Sequence, residues 1–227
     1  MTAADGAVRV CLETGRRLTF ASALDWPGWS RSGRGEEAAI GALRAYAPRY
    51  APVARAAGVK PPDPAGIEIV ERFAGSASTD LGVPEAIAEL EREPLSAGEV
   101  ERLVRLMEAG WELFDLVVAG APVSLRKGPR GGGRDRDAIA DHVIGAEVEM
   151  YARKLGLRLA RPALGDVASL AVTRTAIADA LRAAAGSAPH PAGARGWPPR
   201  YAVRRIAWHV LDHAWEIEDR SDPAPAG

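Results

Sequence analysis

The chain has 227 residues, a formal net charge of −1 and a single cysteine, Cys11. A chain of this length buries a sizeable core without staples, and one cysteine excludes both a disulfide framework and a thiolate metal cluster. The near-zero charge gives no overall field for nucleic acid or an anionic membrane surface, and no run approaches the roughly 18 apolar residues needed to span a bilayer. Met1-Thr-Ala-Ala-Asp-Gly6 lacks the basic region and apolar run of a secretion signal. The expectation is a soluble, cytoplasmic protein.

Val8-Arg-Val-Cys-Leu12 alternates apolar and polar residues, as a half-buried strand does. Thr14-Gly-Arg-Arg17 reads as a turn and Leu18–Leu24 as a second strand, so the two predict a hairpin. Asp25-Trp-Pro-Gly-Trp29 ends it, and Gly35-Glu-Glu37 opens a helix with an acidic first turn. That helix carries Ala39, Leu43 and Tyr46, and its end is expected near Pro48 and Pro52. Ile67–Phe73 alternates again. The order is β-β-α-β, an α+β unit with a helix on one sheet face. The stretch Phe20-Ala-Ser-Ala-Leu-Asp-Trp-Pro-Gly-Trp29, with Gly33 and Glu36-Glu-Ala38, resembles the HicB-like N-terminal fold over residues 7–75. The resemblance implies an interaction module, hence a protein partner. The small DNA-binding domain that usually follows is not evident. Trp26 and Trp29 read as packed turn residues.

Ala74–Pro84 is rich in small residues and breakers, which predicts domains at 1–80 and 81–227. Pro84–Glu93 reads as an acidic helical piece. Ser96 with Glu99 forms a capping box, and Val100, Leu103, Met107, Gly110, Phe114 and Val117 follow at helical spacing. Gly128–Arg134 is a basic connector without the strand and Lys-Ser/Thr of a phosphate loop. Asp135 or Asp137 caps a second helix with Ile139, Val143, Ala146 and Met150 inward and His142 beside them. Ala163–Ala185 predicts a third, with Val167, Leu170, Ile177 and Leu181 inward, and Trp197-Pro-Pro199 introduces a fourth. Four such helices argue for an all-α four-helix bundle.

The fourth helix holds His209 and His213, spaced i and i+4 and so stacked on one face, with Glu216 near the same stripe. Trp208, Leu211 and Trp215 flank it on one side, Ile206, Val210 and Ile217 on the other. Across a bundle core His142 can meet this pair, and three histidines with an open fourth position are a catalytic metal arrangement. The same residues also suit a plain core helix with satisfied imidazoles. His190, in a proline-flanked loop, reads as solvated.

Asp141-His-Val-Ile-Gly-Ala-Glu-Val-Glu-Met-Tyr151 and Trp208-His-Val-Leu-Asp-His213 resemble the DinB-like superfamily, over residues 95–220. That family includes thiol-dependent S-transferases and mycothiol-dependent isomerases. The resemblance implies a bundle with one metal on three side chains. One ligand falls on His142, and two come from an H-x-x-x-H pair on the last helix. The usual run, laid on Leu211–Ile217, places His213 at the first of these and Ile217 at the second. Isoleucine binds no metal, and His209, one turn of 5.4 Å back, is the substitute.

Three functions compete. In the first, zinc or nickel on His142, His209 and His213 activates water or a bound low-molecular-weight thiol toward a small-molecule substrate. Glu216 or Glu149 then orients a ligand or acts as base, although Glu149 also reads as a surface charge. The second is a non-catalytic binding or regulatory scaffold with a degenerate metal site. The third, nucleic-acid binding through Arg126, Lys127, Arg130, Arg134 and Arg136, is the weakest, since acidic residues surround them. A homodimer is expected, two-fold pairing being the commonest assembly.

Overall fold

The computed structural model describes residues 7–127 and 133–221. Strands β1 (Val8–Thr14) and β2 (Thr19–Ala23) form the expected hairpin, in register from Val10↔Ala23 to Thr14↔Thr19. β3 (Ser30–Gly33) returns antiparallel to β2. Helices α1 (Glu36–Ala45) and α2 (Ala47–Ala56) then carry the chain over to β4 (Ile67–Ala74), which joins β1 in parallel. The sheet order is β3-β2-β1-β4. A parallel neighbour requires such a crossover connection, and the two helices supply it.

This sheet has one strand more than the β-β-α-β expectation. Ser30-Arg-Ser-Gly33 shows no apolar alternation. It becomes a strand because the turn before it folds the chain back: Trp29 N–H donates to the Trp26 carbonyl (3.0 Å) and Ala23 N–H to that of Trp29 (3.0 Å). α1 ends at Ala45, close to Pro48 as expected, but a second helix follows at once. Pro48 lies in the first turn of α2, where the missing N–H costs no hydrogen bond. A short helix, α3 (Ala77–Asp80), precedes the acidic piece at 84–93, which is helical only at α4 (Glu89–Arg92) and non-helical over 84–88. Glu13, buried on β1, accepts the N–H groups of Glu85 (2.9 Å) and Ala86 (2.8 Å), which holds that backbone open.

The second region is helical, so the chain is α+β: a four-stranded sheet followed mostly by helices. α5 (Ala97–Gly120) starts on the expected Ser96/Glu99 box. α6 (Arg136–Ala146) runs on into a π-helical stretch, Glu147–Ala152. Its N-cap residue is Asp135, whose carboxylate binds the Leu125 N–H (3.1 Å) rather than the helix start. α7 is Val167–Ala183, shorter than 163–185, and α8 is Pro199–Ser221. α5 packs along α8, with α7 against α5 and α6 against α8. The shared core includes Leu103, Met107, Ile139, Val143, Ile177, Leu181, Ile206 and Ile217. Two residues predicted inward are exposed. Val167, at 76%, opens α7 beyond the packed stretch, and Met150, at 47%, is turned outward in the π-helical stretch.

The sheet's inner face, with Val8, Val10, Leu12, Ala21 and Ala23, packs on α1 and α2. It packs equally on Leu106 and Ala109 of α5 and on Leu211 and Trp215 of α8. This cluster therefore contains residues from both sides of position 80. Among the described residues no helix is long and apolar enough to cross a membrane.

Candidate metal centre

α8 is buried on nearly every side, because its two apolar ridges face different neighbours. Ile206, Val210 and Ile217 enter the helical core, while Leu211 and Trp215 enter the core under the sheet. His209 and His213 lie on the strip between the ridges, facing α6. His209 is only 8% exposed, whereas His142 and His213 are half-buried.

The structure brings the three predicted histidines together. His209 Nε2 is 3.1 Å from His142 Nε2. Ring centroids are 5.0 Å apart for His142 and His209, 5.1 Å for His142 and His213, and 4.7 Å for His209 and His213. The triangle is nearly regular. One ring nitrogen from each lies within 4.8 Å of the other two. His213 Nδ1 is 2.9 Å from Glu216 Oε2, and Arg220 donates to Glu216 Oε1 at 2.7 Å.

These residues fit a metal on chemical grounds. Two neutral imidazole nitrogens 3.1 Å apart either share one proton or direct both lone pairs at one cation. Nitrogens at 2.0–2.1 Å from a tetrahedral zinc lie about 3.3–3.4 Å apart. A His213 proton directed from Nδ1 to Glu216 leaves Nε2 bare, the carboxylate–histidine arrangement that orients metal ligands. The hydrogen bond from His213 keeps the Glu216 carboxyl below its ordinary range, so it stays an acceptor. Burial, and then the charge of His213, holds His142 below the usual imidazole value and His209 well below it. Both are therefore neutral near pH 7, the form that binds metal. An all-nitrogen set suits zinc or nickel among the divalent metals.

The other candidates stand apart. Glu149 is exposed and held by Arg161 at 2.9 Å. It would share a face with His142 in a regular α-helix, but the wider π-helical turn changes the register. Ile217 is fully buried core. His190 is half-buried, its N–H donating to the Arg92 carbonyl (2.9 Å). Lys127 pairs with Asp135 (3.1 Å) and Arg136 with Asp137 (2.8 Å). Arg130 and the glycine run at 128–132 lie outside the described residues.

Sequence reasoning named Trp208 as a flank of the histidine stripe but missed Tyr151 and Arg205. The Tyr151 ring lies 5.6 Å from that of His209, Trp208 6.2 Å from it, and the Arg205 guanidinium sits 4.3 Å over Trp208. Arg205 is one turn from His209, and that spacing was the available signal. No protein-family model matches this chain, and neither does any curated protein or solved structure.

Proposed function

We propose that α5 to α8 form a DinB-like four-helix bundle holding a divalent metal, zinc or nickel, on His142, His209 and His213. The chain would then be a metal-dependent enzyme of the thiol S-transferase or hydrolase type. The observation that carries this reading is the meeting of three imidazoles from α6 and α8, one of them anchored by Glu216. The metal would supply Lewis acidity that lowers the pKa of a water or low-molecular-weight thiol. The chain's own part is to fix the ligands. Glu216 holds the proton on His213 Nδ1 and sets that ring's angle, while Arg220 sets Glu216. The core around Ile206, Val210 and Ile217 keeps water from the far side of the strip. The HicB-like unit serves as an interaction module for a protein partner, and the chain acts as a cytoplasmic homodimer.

One observation favours the scaffold reading. His209 Nδ1 is buried with no partner among the described residues. With Nε2 on a metal, Nδ1 carries the proton and this N–H has no acceptor, at a cost of about 1–3 kcal/mol. Without metal, the proton can lie between the two Nε2 atoms.

Zinc and nickel titrations into chelator-treated protein separate the readings. The enzyme reading expects one equivalent bound by wild type, and none by His213→Ala or His209→Ala. The scaffold reading expects no stoichiometric binding, with His209→Ala changing stability by a hydrogen bond's worth, about 0.5–1.5 kcal/mol.

A further inference from the structure

Four arginines are buried among the described residues: Arg174, Arg200, Arg204 and Arg205. Three have carboxylate partners. Arg174 pairs with Asp115 (2.7 Å) and Glu147 (3.3 Å), Arg200 with Asp25 (2.6 Å) and Glu99 (3.3 Å), and Arg204 with Glu91 (2.5 Å). Arg205 is 7% exposed and has no ion pair with a described residue, and its Nη1 has no acceptor there. A charge taken out of water is strongly disfavoured unless a counter-charge meets it. Among the described residues that requirement is met for three of the buried guanidiniums and not for the fourth.

The surroundings of Arg205 indicate what is missing. Its guanidinium carbon lies over the Trp208 indole, 4.3 Å from the ring centroid, a contact that supplies no anionic counter-charge. The indole Nε1–H of Trp208 is itself buried without an acceptor among the described residues. The Tyr151 ring lies 6.0 Å from the guanidinium, and burial pushes that hydroxyl's pKa up to about 12, so it too remains a donor. Arg205 and Trp208 thus present two unmet donors, with a phenol beside them, next to His209. The unmet need is for an acceptor carrying negative charge.

We propose that Arg205 and the Trp208 N–H anchor a carboxylate of the substrate beside the three-histidine centre, which makes the substrate class small carboxylates. The word substrate rests on the enzyme reading above; the anion site does not. A planar carboxylate matches the guanidinium fork and carries the single charge that one arginine balances. A phosphate dianion would exceed it.

The test uses chelator-treated protein, so that a failed metal reading leaves it intact. Acetate is titrated at constant ionic strength against chloride, with phosphate as a third arm, and the thermal midpoint and acetate NMR line width are followed. The expected result is a saturable rise in the wild-type midpoint with acetate, absent with chloride and smaller with phosphate. Arg205→Gln should lose this response while binding the same amount of zinc as wild type. It should also match or exceed the wild-type midpoint without acetate, since an unpaired buried charge has gone. Arg205→Lys should bind acetate about tenfold more weakly, keeping the charge and losing the fork. If Arg205→Gln does not fold, Arg205→Lys decides alone. Acetate acting no differently from chloride, or an unchanged response in the variants, overturns the proposal. Phosphate outranking acetate replaces the carboxylate with a phosphoryl group and overturns the substrate class.

Discussion

Gly28 lies directly against Leu211. A Cβ at Gly28 would stand 2.4 Å from Leu211 Cδ1 and 3.1 Å from the Ala207 carbonyl oxygen, and Gly28 has a φ of +89°. The Pro-Gly turn of the sheet unit is thus seated on the helix that carries His209 and His213. Tyr50 reinforces the seat by donating its hydroxyl to the Pro27 carbonyl (2.9 Å). Gly28→Ala should therefore destabilise the protein by about 1–3 kcal/mol, from backbone strain and the clash together. Urea denaturation measures it. A change under 0.5 kcal/mol would mean that the turn is not held against α8.

Ile217 separates packing from ligation. It is fully buried in the helical core at the position where the DinB-like run has a histidine. Ile217→Ala should cost about 2–5 kcal/mol as a cavity-forming change and leave zinc stoichiometry at the wild-type value. Loss of zinc binding by a well-folded Ile217→Ala protein would show that the centre depends on this position.

Two strands were legible in the sequence through the period 2 of Val8–Leu12 and Ile67–Phe73, and β2, buried along its whole length, as the stretch Leu18–Leu24 between two turns. β3 was not, since Ser30-Arg-Ser-Gly33 is ordered by the turn before it. The non-helical course of 84–88 was hidden as well, its cause being Glu13 more than 70 positions earlier. At the candidate site the i, i+4 histidines were plain, and meeting His142 required only that α6 face α8. The π-helical stretch has no pattern that periodicity can register, and it is what removes Glu149 from the site. Arg205 looked like one arginine among many, because a missing partner shows only once the neighbours are placed.

Glu216 should matter through His213. Glu216→Ala removes the acceptor from His213 Nδ1 and frees the ring to rotate. Zinc affinity should then fall about 10–100-fold with stoichiometry retained. Calorimetry reads both quantities, and an unchanged affinity would make the 2.9 Å contact incidental.

Acid should destabilise the metal-free protein through His142 and His209. Both titrate below the ordinary imidazole value when folded, chiefly because of burial. In the unfolded chain they take up protons near pH 6.5, so the unfolded state binds more protons as pH falls below that value. Their contribution is complete above about pH 6.5 and is lost as pH drops toward the lowered folded values. Glu147 works in the opposite sense, its pKa being raised by burial. The difference between wild type and a His142→Ala/His209→Ala double variant isolates the histidine part. Urea midpoints from pH 7.5 to 5.5 should converge as pH falls, and parallel curves would contradict the assignment.

The homodimer reading is tested by sedimentation. Leu116, Val167 and Val172 are 71%, 76% and 70% exposed on α5 and α7, apolar surface that a second copy could cover. A species near 48 kDa is expected at micromolar concentration, twice the 24.0 kDa chain. A 24 kDa species alone would exclude the dimer.

The core under the sheet, completed by Leu211 and Trp215, has a consequence for synthesis on the ribosome. The strands and α1 and α2 are all translated by Ala74, yet the last two side chains of their core arrive some 140 residues later. At about 5–20 residues per second that is a wait of roughly 7–28 s. Throughout it the inner sheet face lacks its final cover, and a chain stalled before α8 would present that face to chaperones and proteases. The histidines of α8 emerge in the same few turns that close the sheet core, so completion of the nascent fold and assembly of the three-histidine centre are one event.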